Sequence, residues 1–233
     1  MKRERIVIVG AGGHAREVME ILLSCQRVGV DVDPIGFVDD GSSISETLNG
    51  LPVLGTMDWL DGADRADLGV ICAVGTPSVC FTLAERVRTS GFRVANAIAP
   101  TAWIATSAKV GEGVMIFPNV VVNANAVIGD HVSLNVGSSV SHDSRVGPFC
   151  SVGPGARLAG NVILGARCFV GMGANVVHGV SIGDGCVIGA GSVVLQDLPL
   201  AVTAVGAPAR ITGPASESPM ARARSQDAAG VDP

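Results

Sequence analysis

The 233-residue chain has no tyrosine, and six phenylalanines and two tryptophans bring its aromatic content to 3%. Stacking of bases needs more aromatic platforms than that, and a net charge of −5 supplies no field that draws nucleic acid. Charged residues are scarce too, 16% against a usual ~25%. Mean hydropathy is +0.46, yet glycines interrupt every apolar run before the roughly 18 residues that a membrane helix needs. The apolar run behind Met1-Lys2-Arg3-Glu4-Arg5 has four residues, short of the roughly 7–15 of a secretory signal. Six cysteines (25, 72, 80, 150, 168, 186) include no CxxC pair and no cluster with the four histidines. The expectation is a cytoplasmic protein with reduced thiols, no nucleic-acid partner and no membrane insertion.

What the chain has in excess is glycine, 31 residues or about 13%, near twice the usual ~7%. Charge is distributed unevenly. Residues 1–97 hold nine Lys/Arg and thirteen Asp/Glu, whereas residues 98–212 hold five of each. The composition shift places a domain boundary near Ala97. Residues 213–233, opening Gly-Pro-Ala-Ser-Glu-Ser-Pro, are small and polar without apolar periodicity and read as a disordered tail.

The second segment is a repeat. Every sixth residue from Ile98 to Val194, seventeen in all, is Val, Ile or Leu. The residue two before each is small or valine, as in Ala102, Ala108, Val114, Val120 and onward to Ser192. A six-residue period with one large and one small inward residue is that of a triangular solenoid, three short strands to a coil of eighteen. Glycine follows many of the aliphatics (111, 129, 147, 153, 165, 171, 183, 189), which suggests corners too sharp for a Cβ. Residues 98–199 make five to six coils, about 25 Å of rod at the ~4.8 Å strand spacing. Cys150, Cys168 and Cys186 are eighteen apart and therefore stack on one inner face, filling a small-residue slot as inert thiols.

The first segment opens Ile6-Val7-Ile8-Val9 and then Gly10-Ala11-Gly12-Gly13-His14, running into a helix over about 15–24. Strand, glycine-rich turn and helix start form the context in which such a turn cradles a diphosphate. Ile35-Gly36-Phe37-Val38 is a second strand ending in Asp39-Asp40, residues 68–74 a third, and 77–90 a helix. A small Rossmann-like α/β unit fits, its ligand crevice at the carboxyl ends of the strands. Gly12, Gly13, Asp39 and Asp40 are its candidate nucleotide contacts. His14 has two readings, a ligand contact or a helix cap.

Histidine is the usual general base near neutral pH. His142, in Val140-Ser141-His142-Asp143-Ser144, lies two past an inward aliphatic, so it points outward, and Asp143 is placed to orient or charge-stabilise it. His178 repeats that register two coils on; His131 does not.

The hexapeptide pattern resembles the left-handed parallel β-helix acyltransferases. Val9-Gly10-Ala11-Gly12-Gly13-His14-Ala15, Gly36-Phe37-Val38-Asp39-Asp40, Pro52-Val53-Leu54-Gly55 and the closing Gly206-Ala207-Pro208-Ala209-Arg210 are similar to the branch that holds bacterial nucleotide-sugar N-acetyltransferases and sialic-acid O-acetyltransferase-like proteins. The resemblance spans about residues 5–211. It implies an N-terminal nucleotide-sugar-binding domain (1–97) and a β-helix carrying acetyl-CoA and the catalytic residues (98–212). It also implies a homotrimer with acetyl-CoA in a groove between neighbouring β-helices. By resemblance His142 is the general base for direct attack on the thioester, Asp143 its partner, and the Gly160 N–H the oxyanion donor. Asn135, Gly153, Gly171, Met172, Ala190 and Arg210 are expected along acetyl-CoA, and Gly12, Gly13, His14, Asp39, Asp40 and Ser151 toward the nucleotide-linked amino sugar. Many members carry a second histidine in Phe-x-His, where this chain has Phe149-Cys150-Ser151; serine hydrogen-bonds but is no acid near neutral pH. Gly75-Thr76-Pro77 likewise lacks the amide and acidic residues often seen after the third strand.

Three functions compete. The leading one is acetyl-CoA-dependent N-acetylation of a nucleotide-linked amino sugar for surface glycan assembly. The second is O-acetylation of a sugar or sialic acid; an amine with a pKa of about 8 arrives partly deprotonated, so a hydroxyl acceptor depends more on His142. The third is a non-catalytic β-helix scaffold or a γ-carbonic-anhydrase-like metal protein. Zinc needs three converging histidines, and His131, His142 and His178 stand in the wrong registers, so no metal is expected.

Overall fold

The computed structural model describes residues 3–42 and 46–215. Its first part contains β1 (Glu4–Val9), α1 (Gly13–Arg27), β2 (Val32–Val38), β3 (Thr47–Leu48), β4 (Leu51–Gly55), a 3-10 turn at Met57–Gly62, β5 (Leu68–Cys72), α2 (Pro77–Thr89) and β6 (Arg93–Val94). These strands form one sheet in the order β3-β4-β2-β1-β5-β6, parallel except where β3 turns back on β4. Residues 6–9 are buried because helices cover both faces of the sheet, which is why that run is continuous rather than alternating. α1 buries Ala15, Val18, Met19, Ile21, Leu22 and Cys25, a stripe at helical spacing. It begins two residues before the expected start and runs three beyond the expected end. The β3/β4 hairpin, the 3-10 turn and β6 carry no strong periodicity and escape a reading by pattern.

From Ala97–Ile98 to Val193–Val194 the chain winds into the expected left-handed parallel β-helix. Two-residue strands recur every six residues, and each pairs in parallel with the strand eighteen further on, as Met115↔Ser133, Val121↔Ser139 and Val127↔Arg145 show in turn. Three sheets make the faces of a prism filled by residues such as Ile116, Val122, Leu134, Val140, Leu158 and Val176. The slot beside them holds Ala126, Ser144, Cys150, Ala156, Cys168 and Cys186, all buried. Cys150 donates to the Gly165 carbonyl at 2.9 Å and Cys168 to that of Gly183 at 3.2 Å, so the stacked thiols serve the backbone.

The glycines after the aliphatics have a different cause from the one the sequence suggests. Gly129, Gly147 and Gly171 do not adopt positive φ. A Cβ at Gly147 would stand 2.7 Å from the Ala166 nitrogen, and at Gly171 2.5 Å from that of Ala190. They are glycine because the next coil is stacked on them. The left-handed residues lie two positions later, once per hexad: Asn119, Asn125, His131, Gly137, Asp143, Phe149, Gly155, Asn161, Arg167 and Gly173. Asn and Asp tolerate that conformation better than other side chains.

The helix ends with Val202–Val205, which joins the first face in parallel and then pairs antiparallel with Arg210–Pro214. Gly213 and Pro214, expected in the tail, are therefore strand residues; residues 216–233 lie outside the described part of the chain. The α/β unit docks on the β-helix at two places. The inner side of α1 shares one apolar core with Ala97, Met115 and Phe117, and the Cys25 thiol donates to the Ile98 carbonyl at 3.2 Å. On α2, Phe81 sets its edge on Phe149 with centroids 5.2 Å apart, and Phe149 stacks on His131 at 4.9 Å.

Candidate active site

The His142 corner follows the strand Ser139–Val140. Val140 and Ser144 point inward and are buried. The Ser144 hydroxyl donates to the Ala159 carbonyl at 2.8 Å and accepts the Val162 N–H at 3.1 Å, fixing the corner to the next coil. Between them the chain puts His142 and Asp143 outward, with Asp143 at φ 59°. Asp143 Oδ2 lies 2.8 Å from His142 Nδ1, and its Oδ1 accepts the Asn125 amide at 3.0 Å. The bond to His142 first, and that from Asn125 second, hold the Asp143 carboxyl below its ordinary range. A carboxylate on Nδ1 assigns the proton of the neutral imidazole to that nitrogen and leaves the Nε2 lone pair free.

His142 Nε2 faces Gly160, the residue one coil on. A Cβ there would stand 2.5 Å from it, so only glycine leaves room for the ring. The Gly160 carbonyl accepts from Gly179, while its N–H meets no partner among the described residues. His178 sits on the following coil. Two coils span about 9.6 Å, yet the two imidazoles come within 6.1 Å because the glycine rung between them has no side chain.

At the other end of the α/β unit, Gly12 is the N-cap of α1. Asp39 Oδ2 accepts the Ala11 N–H at 2.8 Å and Oδ1 that of Gly41 at 2.8 Å. Asp40 accepts from Met57 N–H at 2.8 Å. Both aspartates thus brace the loops around the crevice. His14 does not cap the helix, whose N-cap has no side-chain bond. Its ring reaches across to the β-helix, 5.0 Å from Phe117 in a stacked arrangement and with Nε2 3.3 Å from the Ser133 hydroxyl. Burial lowers its pKa to about 4, so it is a neutral imidazole at physiological pH.

A cavity of about 240 Å³ opens beside His14. Five of the six positions expected along acetyl-CoA line it (Asn135, Gly153, Gly171, Met172 and Ala190), together with Ser151 and His14 from the expected acceptor set. Arg210 lies elsewhere, in a second cleft with Leu195 and Asp197. His142, Asp143 and Gly160 do not line the cavity: their corner is separated from that of Asn135 by the prism face carrying Ser139–Val140. Neither do Gly12, Gly13, Asp39 and Asp40. The reading by sequence missed Gly75, Phe169 and Gly189 in the cavity wall and Asn125 beside Asp143. The eighteen-residue step could have found several, since Gly189 continues the column Asn135, Gly153, Gly171, and Asn125 is the rung before Asp143.

Residues 5–87 match the model of the PglD N-terminal domain, and residues 161–196 that of the bacterial transferase hexapeptide (six repeats). Among solved structures, the chain is 40% identical to PerB of Caulobacter crescentus in complex with CoA and GDP-perosamine, covering 89% of this chain and 97% of that one with a TM-score of 0.82. It is 31% identical to the acetyltransferase domain of PglB from Neisseria gonorrhoeae in complex with acetyl coenzyme A, over 90% and 99% of the two chains, TM-score 0.85. WeeI from Acinetobacter baumannii is 29% identical over 88% and 98%, TM-score 0.73. No curated protein sequence matches significantly.

Proposed function

The chain belongs to the hexapeptide-repeat nucleotide-sugar N-acetyltransferases, and from that premise we propose that it transfers the acetyl group of acetyl-CoA to the amine of a nucleotide-linked amino sugar with His142 as general base. The observation that carries the assignment of the base is local. An imidazole held at Nδ1 by Asp143 presents Nε2 beside Gly160, whose N–H has no partner among the described residues.

In the reaction the acceptor amine attacks the thioester carbonyl carbon while His142 Nε2 takes its proton. The carbonyl oxygen becomes an oxyanion and lies on the Gly160 N–H. Collapse breaks the C–S bond, and the imidazolium returns the proton to the departing sulfur, giving the acetamide and CoA thiol. Asp143 holds the ring and balances its charge in between. The low-polarity cavity beside Met172 and Ala190 suits the pantetheine arm of acetyl-CoA. Residues 1–97 hold the nucleotide at the Gly12–Asp39 crevice, and residues 98–212 provide the acetyl-CoA groove and the base.

One chain does not bring base and cavity to the same corner. We therefore read the working site as composite, His142 from one β-helix facing the cavity wall of its neighbour in a trimer. Among the described residues no helix is long and apolar enough to cross a membrane, and six free, buried thiols fit a cytoplasmic enzyme.

The test is thiol release from acetyl-CoA with UDP-, GDP- and dTDP-linked amino sugars, beside amine-free acceptors, with product mass as readout. An N-acetylated nucleotide sugar that disappears with His142→Ala supports the reading. Turnover only with amine-free acceptors makes the enzyme an O-acetyltransferase. For the composite site, His142→Ala chains are co-expressed with Ala190→Trp chains, whose exposed position lines the cavity and leaves the coil stacking untouched; activity in the mixed oligomer, absent from either alone, is the expected result, and its absence places the whole site in one chain.

A further inference from the structure

We propose that Asn125 is a positioning residue of this reaction, holding Asp143 so that its free oxygen is presented to the His142 imidazole; this rests on His142 being the base. Asn125, Asp143 and Asn161 occupy one corner in successive coils, eighteen residues apart, with φ of 59°, 59° and 57°. Their side chains form a ladder along the prism edge. The Asn125 N–H donates to the Ser107 hydroxyl at 3.1 Å, and the Asn125 amide to Asp143 Oδ1 at 3.0 Å. Asp143 Oδ2 then meets His142 at 2.8 Å. One rung further, the Asn161 amide meets His178 Nε2 at 3.4 Å. Each of these two imidazoles is met by the rung residue of its own or the preceding coil.

Asp143 is exposed on the corner, and a carboxylate in water samples several rotamers. With one oxygen fixed by Asn125, the other has one direction left, toward His142. The groups that act on the Asp143 carboxylate are His142 on its own corner and the neutral Asn125 on the coil before. His142 is therefore the titratable neighbour, and Asn125 supplies the bond that does not titrate.

A simpler role for asparagine is its tolerance of positive φ. Asn125→Gly separates the two, since glycine takes the same left-handed conformation at 179 on this corner and at 137, 155, 173 and 191 on another. The expected result is an unchanged melting temperature and unchanged KM for acetyl-CoA, with kcat lowered about tenfold, the size of one charge-assisted hydrogen bond. The fall in kcat at constant KM marks lost positioning of the base, and the Asp143 carboxyl itself rises, because it loses one of the two donors that keep it low. Asn125→Asp, which sets a second carboxylate against the first, lowers kcat further at neutral pH than glycine does. A carboxylate NMR titration reads the same bond without turnover: the Asp143 midpoint rises in Asn125→Gly. An unmoved midpoint, or an unmoved kcat while His142→Ala is inactive, overturns the role of Asn125 alone. Full activity in His142→Ala overturns the base assignment instead.

Discussion

The crevice of the α/β unit and the His142 corner of the β-helix use their aspartates in different ways. In the α/β unit, Asp39 and Asp40 spend their carboxylates on backbone N–H groups of loops up to 28 residues away, and the crevice is what those loops leave open. In the β-helix three of the four aspartates do the same between coils, Asp130, Asp184 and Asp197 accepting the N–H groups of Glu112, Ala166 and Ser181. The Asp143 carboxylate is the exception, meeting only the side chains of His142 and Asn125. A solenoid offers an outward pair of this kind at any corner of any coil, whereas the α/β unit has its crevice fixed by where its strands end.

The largest test of that contrast is chemical. His142→Ala is expected to lower kcat about a thousandfold with no loss of melting temperature, the upper-middle of what a positioned base supplies. Gly160→Ala, whose Cβ falls on the ring, does most of the same damage without touching a titratable group. A large drop in stability from either change would mean that the corner is structural. Next come core truncations of equal chemistry. Leu158→Ala in the prism and Leu22→Ala in α1 each cost about 4 kcal/mol, both side chains being fully buried. Their reach differs: hydrogen exchange rises in the coils next to Leu158, but across β1, β2 and β5 for Leu22. Equal spread in both would erase the distinction.

The same contrast explains what could be read from sequence. Position modulo eighteen fixes each β-helix environment, so Val140, Cys150 and Leu158 were placeable without coordinates. The reason for Gly147 and Gly171 was not, because the clash lies with a neighbouring coil rather than in the local backbone. In the α/β unit the glycine-rich turn, Asp39 and both helices were legible, while β3, β4 and β6 depend on pairing and carry no period. Of the site, the His142–Asp143 pair was legible from adjacency. The reach of His14 to Ser133, 119 positions apart, belongs to the docking of the two parts, whereas the prism face between base and cavity follows from the same eighteen-residue count.

His14 sits on that seam and gives it a pH dependence. Its pKa falls from 6.5 to about 4 by burial, so the folded protein keeps the ring neutral where the unfolded chain takes a proton. Stability from this residue is complete above about pH 6.5 and is lost as pH falls toward 4, up to about 3 kcal/mol. In His14→Gln, which still reaches a hydroxyl and does not titrate, the slope of melting temperature against pH between 6.5 and 4 flattens. A slope equal to the parent's would assign the acid lability to another group, with the partly buried His131 the first to replace.

The smallest effect asks whether the two parts are docked at one place or two. α1 shares its apolar core with the β-helix, and a single helix contact leaves rotation about its own axis open. Phe81 on α2 closes that freedom by setting its edge against Phe149, with the Arg167 guanidinium 5.9 Å from the Phe81 centroid. Phe81→Leu keeps apolar volume on the helix but removes the edge-to-face geometry. In a double-mutant cycle with Phe149→Leu the coupling is expected near 1 kcal/mol. The nucleotide crevice and the β-helix meet only if their relative angle is held, so the KM for the nucleotide sugar rises in Phe81→Leu while that for acetyl-CoA stays. Zero coupling with an unchanged KM would leave α1 as the sole anchor, and the angle between the two parts would then be set by the core beneath Met115 and Phe117.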